Sequence, residues 1–239
     1  MQVIIIGGGG IATALAEHYL NEGYQISLFS RSACVDSLLP AQQQGDLSWY
    51  QSTEADESQY QSVLTDIFNQ PVYAIFCCIG FLHEERQRPE KTIKSLNAEF
   101  LLQNFQANTV APALWLQRLQ PHLAKQPQVK MLWLSAKVGS ISDNQLGGWY
   151  SYRASKAALN MMVKTTAIEL RRLYPELVLV TIHPGTTDTE LSKPFQHNLP
   201  QGQLQTAAAT ASRLAKVADN LSKEQHGLLL NWDGQVLPF

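Results

Sequence analysis

Met1-Gln-Val-Ile-Ile-Ile-Gly7-Gly8-Gly9-Gly10-Ile11-Ala12-Thr-Ala-Leu-Ala-Glu-His-Tyr-Leu20 opens the chain and decides how the rest is read. Val3 to Ile6 form an unbroken β-branched run, the pattern of a strand buried on both faces. From Ala12 to Leu20 the residues are good helix formers with apolar side chains at helical spacing. The four glycines between them let the backbone turn sharply and come close to a ligand. A helix starting there presents unpaired N–H groups and the positive end of its dipole to a pyrophosphate. Strand, glycine turn and helix in this order predict a dinucleotide site.

The alternation continues outward. Strands are predicted at residues 3–6, 25–29, 47–51, 72–79, 130–134, 178–182 and 228–231, and helices at 11–21, 57–68, 96–124, 150–173 and 204–221. No linker, repeat or low-complexity tract interrupts them. Residues 1–239 therefore read as a single doubly wound α/β domain, a seven-stranded, mostly parallel sheet with helices on both faces. Such sheets bind ligands beyond the carboxyl ends of their strands, near the switch in strand order. Hydrophobic residues at 45% can fill a sizeable core. A net charge of −2 gives no footprint for nucleic acid or an anionic membrane, and no apolar run is long enough to span a bilayer. Of three cysteines, Cys77 and Cys78 are adjacent inside an apolar strand. That pattern points to reduced thiols in a cytoplasmic protein, with no disulfide frame and no metal site.

Two further stretches carry chemistry. Tyr152 and Lys156 stand four residues apart in a predicted helix and so share a face. An ammonium beside a phenol favours the phenolate, lowers its pKa and makes a pair able to exchange a proton with a carbonyl oxygen. The second strand ends in Ser30-Arg31 with no carboxylate to grip a ribose diol or repel a 2′-phosphate, and the Arg31 fork suits phosphate. Asn108 lies inside a predicted helix, where an Asn is unfavourable unless its side chain has a task.

On these residues the chain resembles the short-chain dehydrogenase/reductase family over its whole length, and within it the C-factor-like and carbonyl-reductase-like members. Tyr152-Arg-Ala-Ser-Lys156 matches the family's Tyr-x-x-x-Lys. The glycine turn departs from Thr-Gly-x-x-x-Gly-x-Gly: it lacks the Thr, is one residue shorter and ends in Ala12. The resemblance implies a Rossmann-type domain with Gly7, Gly10 and Ile11 on the cofactor pyrophosphate. It implies Ile79 and Gly80 near the ribose, in Cys77-Cys78-Ile79-Gly80 where the family has Asn-Asn-Ala-Gly. Pro184, Gly185, Thr187 and Thr189 would then hold the nicotinamide, and Asn108 would bend its helix and support a water beside Lys156. His183 is expected to pack or cap at its strand end. The family's catalytic serine is the second of a Ser-Ser pair. In Leu134-Ser135-Ala136-Lys137-Val138-Gly139-Ser140 that slot holds Ala136, which leaves Ser135 as the nearest hydroxyl and Ser140 as the other candidate.

The implied activity is hydride transfer between NADP(H), favoured over NAD(H), and a small carbonyl or alcohol substrate. Tyr152 would exchange the proton, Lys156 would lower its pKa and bind the ribose, and Ser135 would steady the alkoxide. The alternatives are a C-factor-like cofactor-binding signalling or sensor protein with little turnover, and an epimerase or dehydratase on the same cofactor. Leu146, Trp149 and Phe195 are candidates for an apolar substrate wall. The family also pairs two long helices across a two-fold axis, which implies a homodimer or homotetramer. Phe100, Leu101, Phe105, Leu114, Trp115 and Leu119 on one helix, with Leu159, Met161, Met162, Val163 and Ile168 on the other, are the residues for that contact.

Overall fold

The first strand is apolar because it has no solvent face. In β1 (Gln2–Ile6), Val3 and Ile5 pack into one core and Ile4 and Ile6 into another, as the two-residue period of a strand requires. The computed structural model describes residues 1–51, 57–84, 87–126, 128–197 and 199–239. The remaining strands are β2 (Gln25–Ser30), β3 (Leu47–Gln51), β4 (Val72–Cys77), β5 (Lys130–Leu134), β6 (Val178–His183), β7 (Thr186–Thr187), β8 (Leu204–Gln205), β9 (Leu229–Asn231) and β10 (Val236–Leu237). Short β7 and β8 pair with each other, while the other eight form one sheet in the order β3-β2-β1-β4-β5-β6-β9-β10. Its pairs are parallel except for antiparallel β10 on β9.

Helices cover both faces. They are α1 (Gly10–Asn21), α2 (Leu39–Gln44), α3 (Glu57–Ile67), α4 (Ala98–Phe105), α5 (Ala111–Leu119), α6 (Tyr150–Leu173) and α7 (Ala207–Asn220). Leu15 and Tyr19 of α1 meet Leu214 and Ala218 of α7 in the core on one side of the sheet. Trp115 and Leu119 of α5 meet Leu159 and Val163 of α6 in the core on the other. β1 lies between β2 and β4, so successive crossovers leave it in opposite directions and open a crevice at its carboxyl end.

The seven expected strands are all present, and four features differ from expectation. β4 stops at Cys77, and β10 adds an eighth strand only two residues long, too short to leave a periodic signal. The helix expected at 204–221 begins at Ala207, because Leu204 and Gln205 pair with β7 and Thr206 caps the helix through the Ala209 N–H. The helix expected at 96–124 is interrupted by a π turn at Gln106–Val110 and tightens to 3-10 geometry at Gln120–Lys125. Pro112 has no N–H to return to the Asn108 carbonyl one α-turn back, so the helix widens there.

Candidate active site

The carboxyl ends of β1, β2, β4 and β6 converge on the glycine turn. Gly7 has φ +116°, and a Cβ on it would lie 3.1 Å from the Cys78 carbonyl carbon, so the turns after β1 and β4 approach only because residue 7 is glycine. A Cβ on Gly8 would collide with the Ser30 hydroxyl at the end of β2. Sequence reasoning left Gly8 out of the site, and the run of four glycines was its signal. Gly10 begins α1, with Ile11 next; a Cβ on Gly10 would lie 3.0 Å from the Thr189 methyl group. No side chain caps α1 and no acid stands in its first turn, so its leading N–H groups and dipole remain open to an anion.

Around this turn stand most of the other cofactor candidates. The Ser30 hydroxyl accepts the Ser32 N–H at 3.0 Å. Arg31 is exposed, and its guanidinium has no hydrogen bond or ion pair among the described residues. Ile79 and Gly80 follow β4; Pro184 and Gly185 leave β6, Gly185 with φ +82°. Thr187 is placed differently from expectation. Its buried hydroxyl is taken by Thr210 of α7 at 2.9 Å, because β7 turns that side chain toward the helix. Burial lowers the His183 pKa to about 4, so this imidazole is neutral at pH 7 and packs at the end of β6.

Tyr152 and Lys156 are buried side by side in the first turns of α6, with the ammonium 5.9 Å from the phenol ring centroid. Lys156 is 2% exposed and donates to the Leu134 carbonyl at 3.0 Å. A Cβ on Gly139 would lie 2.8 Å from the Lys156 Cβ, so the turn after β5 packs directly onto the lysine. Its Nζ also lies 4.0 Å from where a Gly80 Cβ would be. Burial outweighs the favourable influence of Cys77 and Cys78 and lowers the Lys156 pKa to about 8.

The expected acidification of Tyr152 is reversed. Burial raises its phenol above the ordinary range, while the ammonium beside it donates to the Leu134 carbonyl. The hydroxyl makes no hydrogen bond among the described residues. Both thiols are held protonated by burial, Cys77 pushed up to about 12 and Cys78 well above its usual value.

The serine assignment is also corrected. The Ser135 hydroxyl donates to Asn160 Oδ1 at 2.7 Å, whereas Ala136 packs with Tyr152 and Leu82. Successive residues in extended backbone point to opposite sides, and at the end of β5 that alternation sends the hydroxyl away and the methyl group toward the phenol. Ser140 instead caps its own turn by accepting the Asp143 N–H at 3.1 Å.

Asn108 sits in the π turn, fully buried. Its amide accepts from the Phe81 N–H and donates to the Phe81 carbonyl, both at 2.8 Å, and donates to the Ser155 hydroxyl at 3.0 Å. One side chain thereby ties the segment after β4 to the helix carrying Tyr152 and Lys156.

The wall beside Tyr152 is apolar. Val138, Trp149, Leu191 and Phe195 pack on the Leu82–Ala136–Tyr152 cluster, with Trp149 and Phe195 ring centroids 5.0 Å apart. Leu146 is 92% exposed and takes no part, because Gly147 and Gly148, both with positive φ, turn the chain after it. His83 lies edge-on to Phe195 at 5.6 Å and reaches the Glu190 carbonyl at 3.3 Å. Glu90, unmarked by any motif in Arg88-Pro-Glu90-Lys, is buried against the start of α6. Its carboxylate accepts the Ser151 N–H and hydroxyl, and its backbone carbonyl accepts the Trp149 N–H.

Comparisons with known proteins give the family and the fold. A family model described as short chain dehydrogenase matches residues 1–200. The chain is 32% identical over 147 residues to 1-hydroxy-2-glutathionyl-2-methyl-3-butene dehydrogenase of Rhodococcus sp. (strain AD45), a match covering 61% of each. It is 30% identical over 140 residues to C-signal of Myxococcus xanthus, covering 58% of this chain and 78% of that protein. Matches to several curated relatives thus span only 57% to 61% of their length. Among solved structures, carbonyl reductase Sniffer of D. melanogaster superposes with a TM-score of 0.84 at 22% identity, over 100% of both chains. The NADPH-bound carbonyl reductase from chicken fatty liver does so at 0.81 and 22%, again over 100% of both.

Proposed function

This chain belongs to the short-chain dehydrogenase family, and from that premise we propose that it is an NADP(H)-dependent oxidoreductase acting on a carbonyl or alcohol group. One observation carries the reading. Tyr152 and Lys156 are buried together beside Gly80, at the same sheet edge as the glycine turn and the uncapped start of α1. The residues present fit the cofactor. The α1 N-terminus, Gly7, Gly10 and Ile11 would hold its pyrophosphate; Ser30 and Arg31 the 2′-phosphate; Ile79, Gly80 and Lys156 the nicotinamide ribose; Pro184, Gly185 and Thr189 the carboxamide.

The cofactor supplies the hydride, and the chain supplies position and the proton. Tyr152, kept protonated by its burial, donates to the substrate oxygen in reduction and takes the proton back in oxidation. Lys156 gives the buried crevice a positive charge near the phenol, and Asn108 holds the Phe81 segment against α6. With Ala136 in place of a hydroxyl, Tyr152 is the sole donor from the Leu82–Ala136–Tyr152 cluster to the substrate oxygen.

An assay of NADPH oxidation over aldehydes, ketones and diketones, with binding curves for NADPH and NADH, tests the reading. NADPH is expected to bind more tightly, and Arg31→Ala to narrow the gap by about ten- to a hundred-fold, as for a lost charge-assisted phosphate contact. Equal binding of both cofactors by the unmutated protein refutes the role of Arg31. The likeness to C-signal and the methyl group at residue 136 favour a second reading, a cofactor-binding signalling protein. Tight NADPH binding with no turnover on any carbonyl would select it.

We also propose a homodimer at least. Phe100, Trp115, Leu119, Leu159 and Val163 are absorbed by the chain's own core, which removes them from the expected interface. Leu102, Val110, Met161, Met162 and Ile168 remain exposed on the same two helical stretches and form the apolar face for a two-fold mate. Light scattering should give at least twice 26.6 kDa at tens of micromolar, and Met162→Glu should reduce the mass to that of one chain. A monomer before mutation disproves this contact.

A further inference from the structure

α6 carries the reactive pair, yet its N-cap position is given to a residue that cannot cap. Trp149 has no acceptor in its side chain, and α6 has no acid in its first turn. Trp149 also has φ +52°, the only positive φ outside glycine among the described residues, in a region that bulky side chains seldom enter. Something outside the helix must satisfy its first N–H groups and hold this backbone.

Glu90 does both. It is 2% exposed and pairs with no cation among the described residues. Its carboxylate spans the Ser151 N–H at 3.1 Å and the Ser151 hydroxyl, while its carbonyl oxygen takes the Trp149 N–H at 2.5 Å. From the far side, Arg153 ties the Gly148 carbonyl at 3.0 Å and the Val138 carbonyl at 3.2 Å. A buried carboxylate is costly unless strong donors satisfy it, and a helix N-terminus favours its charge. The two residues it grips flank the site: the Trp149 ring lies edge-on to the Tyr152 ring at 6.1 Å and against Phe195, and Ser151 immediately precedes Tyr152.

We propose that Glu90 is a positioning residue that caps α6 from the segment after β4 and fixes the Tyr152 phenol and the Trp149 wall relative to one another, thereby setting which substrates reach the phenol. The identity of Tyr152 as proton donor rests on the function proposed above; the clamp on residues 149–151 does not.

The test uses Glu90→Ala and Glu90→Gln in the full chain. Glu90→Ala should lower kcat about ten-fold or more and narrow the preference between a bulky aromatic aldehyde and a small aliphatic one. Its NADPH dissociation constant should stay within about three-fold, since Glu90 touches none of the cofactor candidates. Glu90→Gln keeps an acceptor and should recover part of the loss. Hydrogen exchange provides an arm independent of turnover: in Glu90→Ala the Ser151 amide should exchange about ten-fold or more faster, and in Glu90→Gln by less, with the amides of β1 and α1 unchanged. Unchanged exchange at Ser151 in Glu90→Ala overturns the clamp. A fall in kcat matched by an equal loss of NADPH binding and of protection throughout the sheet shows a pillar of the fold, and also overturns the proposal. Altered exchange in a protein whose Tyr152→Phe form stays fully active would preserve the clamp and reject the proton donor.

Discussion

Tyr152→Phe is expected to lower carbonyl reduction by about a thousand-fold or more while NADPH binding stays within about three-fold, as for a general acid removed without changing shape. The effect should be this large because the local geometry offers no substitute. Ala136 presents a methyl group, Ser135 is bound to Asn160, Ser140 is engaged in its own turn, and Lys156 donates to Leu134. The pH dependence follows from the same burial. Tyr152 remains protonated across the neutral range, so the titration met first on raising the pH belongs to Lys156 at about 8. Reduction by the unmutated protein should therefore fall as pH rises through that value, when the positive charge near the phenol is lost. Steady-state rates of the two forms between pH 6 and 10, with NADPH binding measured in parallel, check this. Full activity in the Phe form removes Tyr152 from the chemistry.

What could be read in advance was local in sequence. The β-branched run before Gly7 could only be a strand with two buried faces, and the Tyr152–Lys156 spacing could only place both side chains on one face of a helix. What escaped was set by contacts between distant segments. Glu90 meets Ser151 across sixty-one residues, and nothing near Glu90 marks it as a cap. The direction of the Tyr152 shift follows from the burial of its phenol, which Leu82 and Ala136 from distant segments bring about. Ser135 is the closest hydroxyl in sequence but faces Asn160 because strand residues alternate. Apolar residues of the two long helical stretches divided between core and surface according to helix rotation: Trp115 went inward and Met161 outward, a choice composition cannot make. The π turn at Asn108 did have a cue, Pro112 four residues on, but a proline inside a helix predicts a kink more readily than a widened turn.

Lys156→Met should abolish turnover and yet strengthen the fold. Burial lowers the lysine from 10.5 to about 8, so at pH 7 the folded protein keeps an ammonium that it would hold more cheaply in water. Holding that charge against burial costs on the order of 3 kcal/mol. Met has a similar length and no charge, but it leaves the Leu134 carbonyl without its donor, which costs about 1–2 kcal/mol. A net gain of about 1–2 kcal/mol at pH 7 follows. The sign of its pH dependence is fixed by the depressed pKa. Between about pH 8 and 10.5 the unfolded chain binds the proton and the folded one does not, so the stability of the unmutated protein rises with pH in that window. The advantage of the Met form should consequently be complete below pH 8 and shrink by about 2 kcal/mol at pH 10. Urea unfolding of both proteins at pH 7 and pH 10 isolates this difference, because every other group titrates in both. A stability difference that is the same at the two pH values would mean that Lys156 is not held charged against its burial. Loss of activity with a gain of stability would mean that the lysine is kept in the crevice for what it does there, at the expense of the fold.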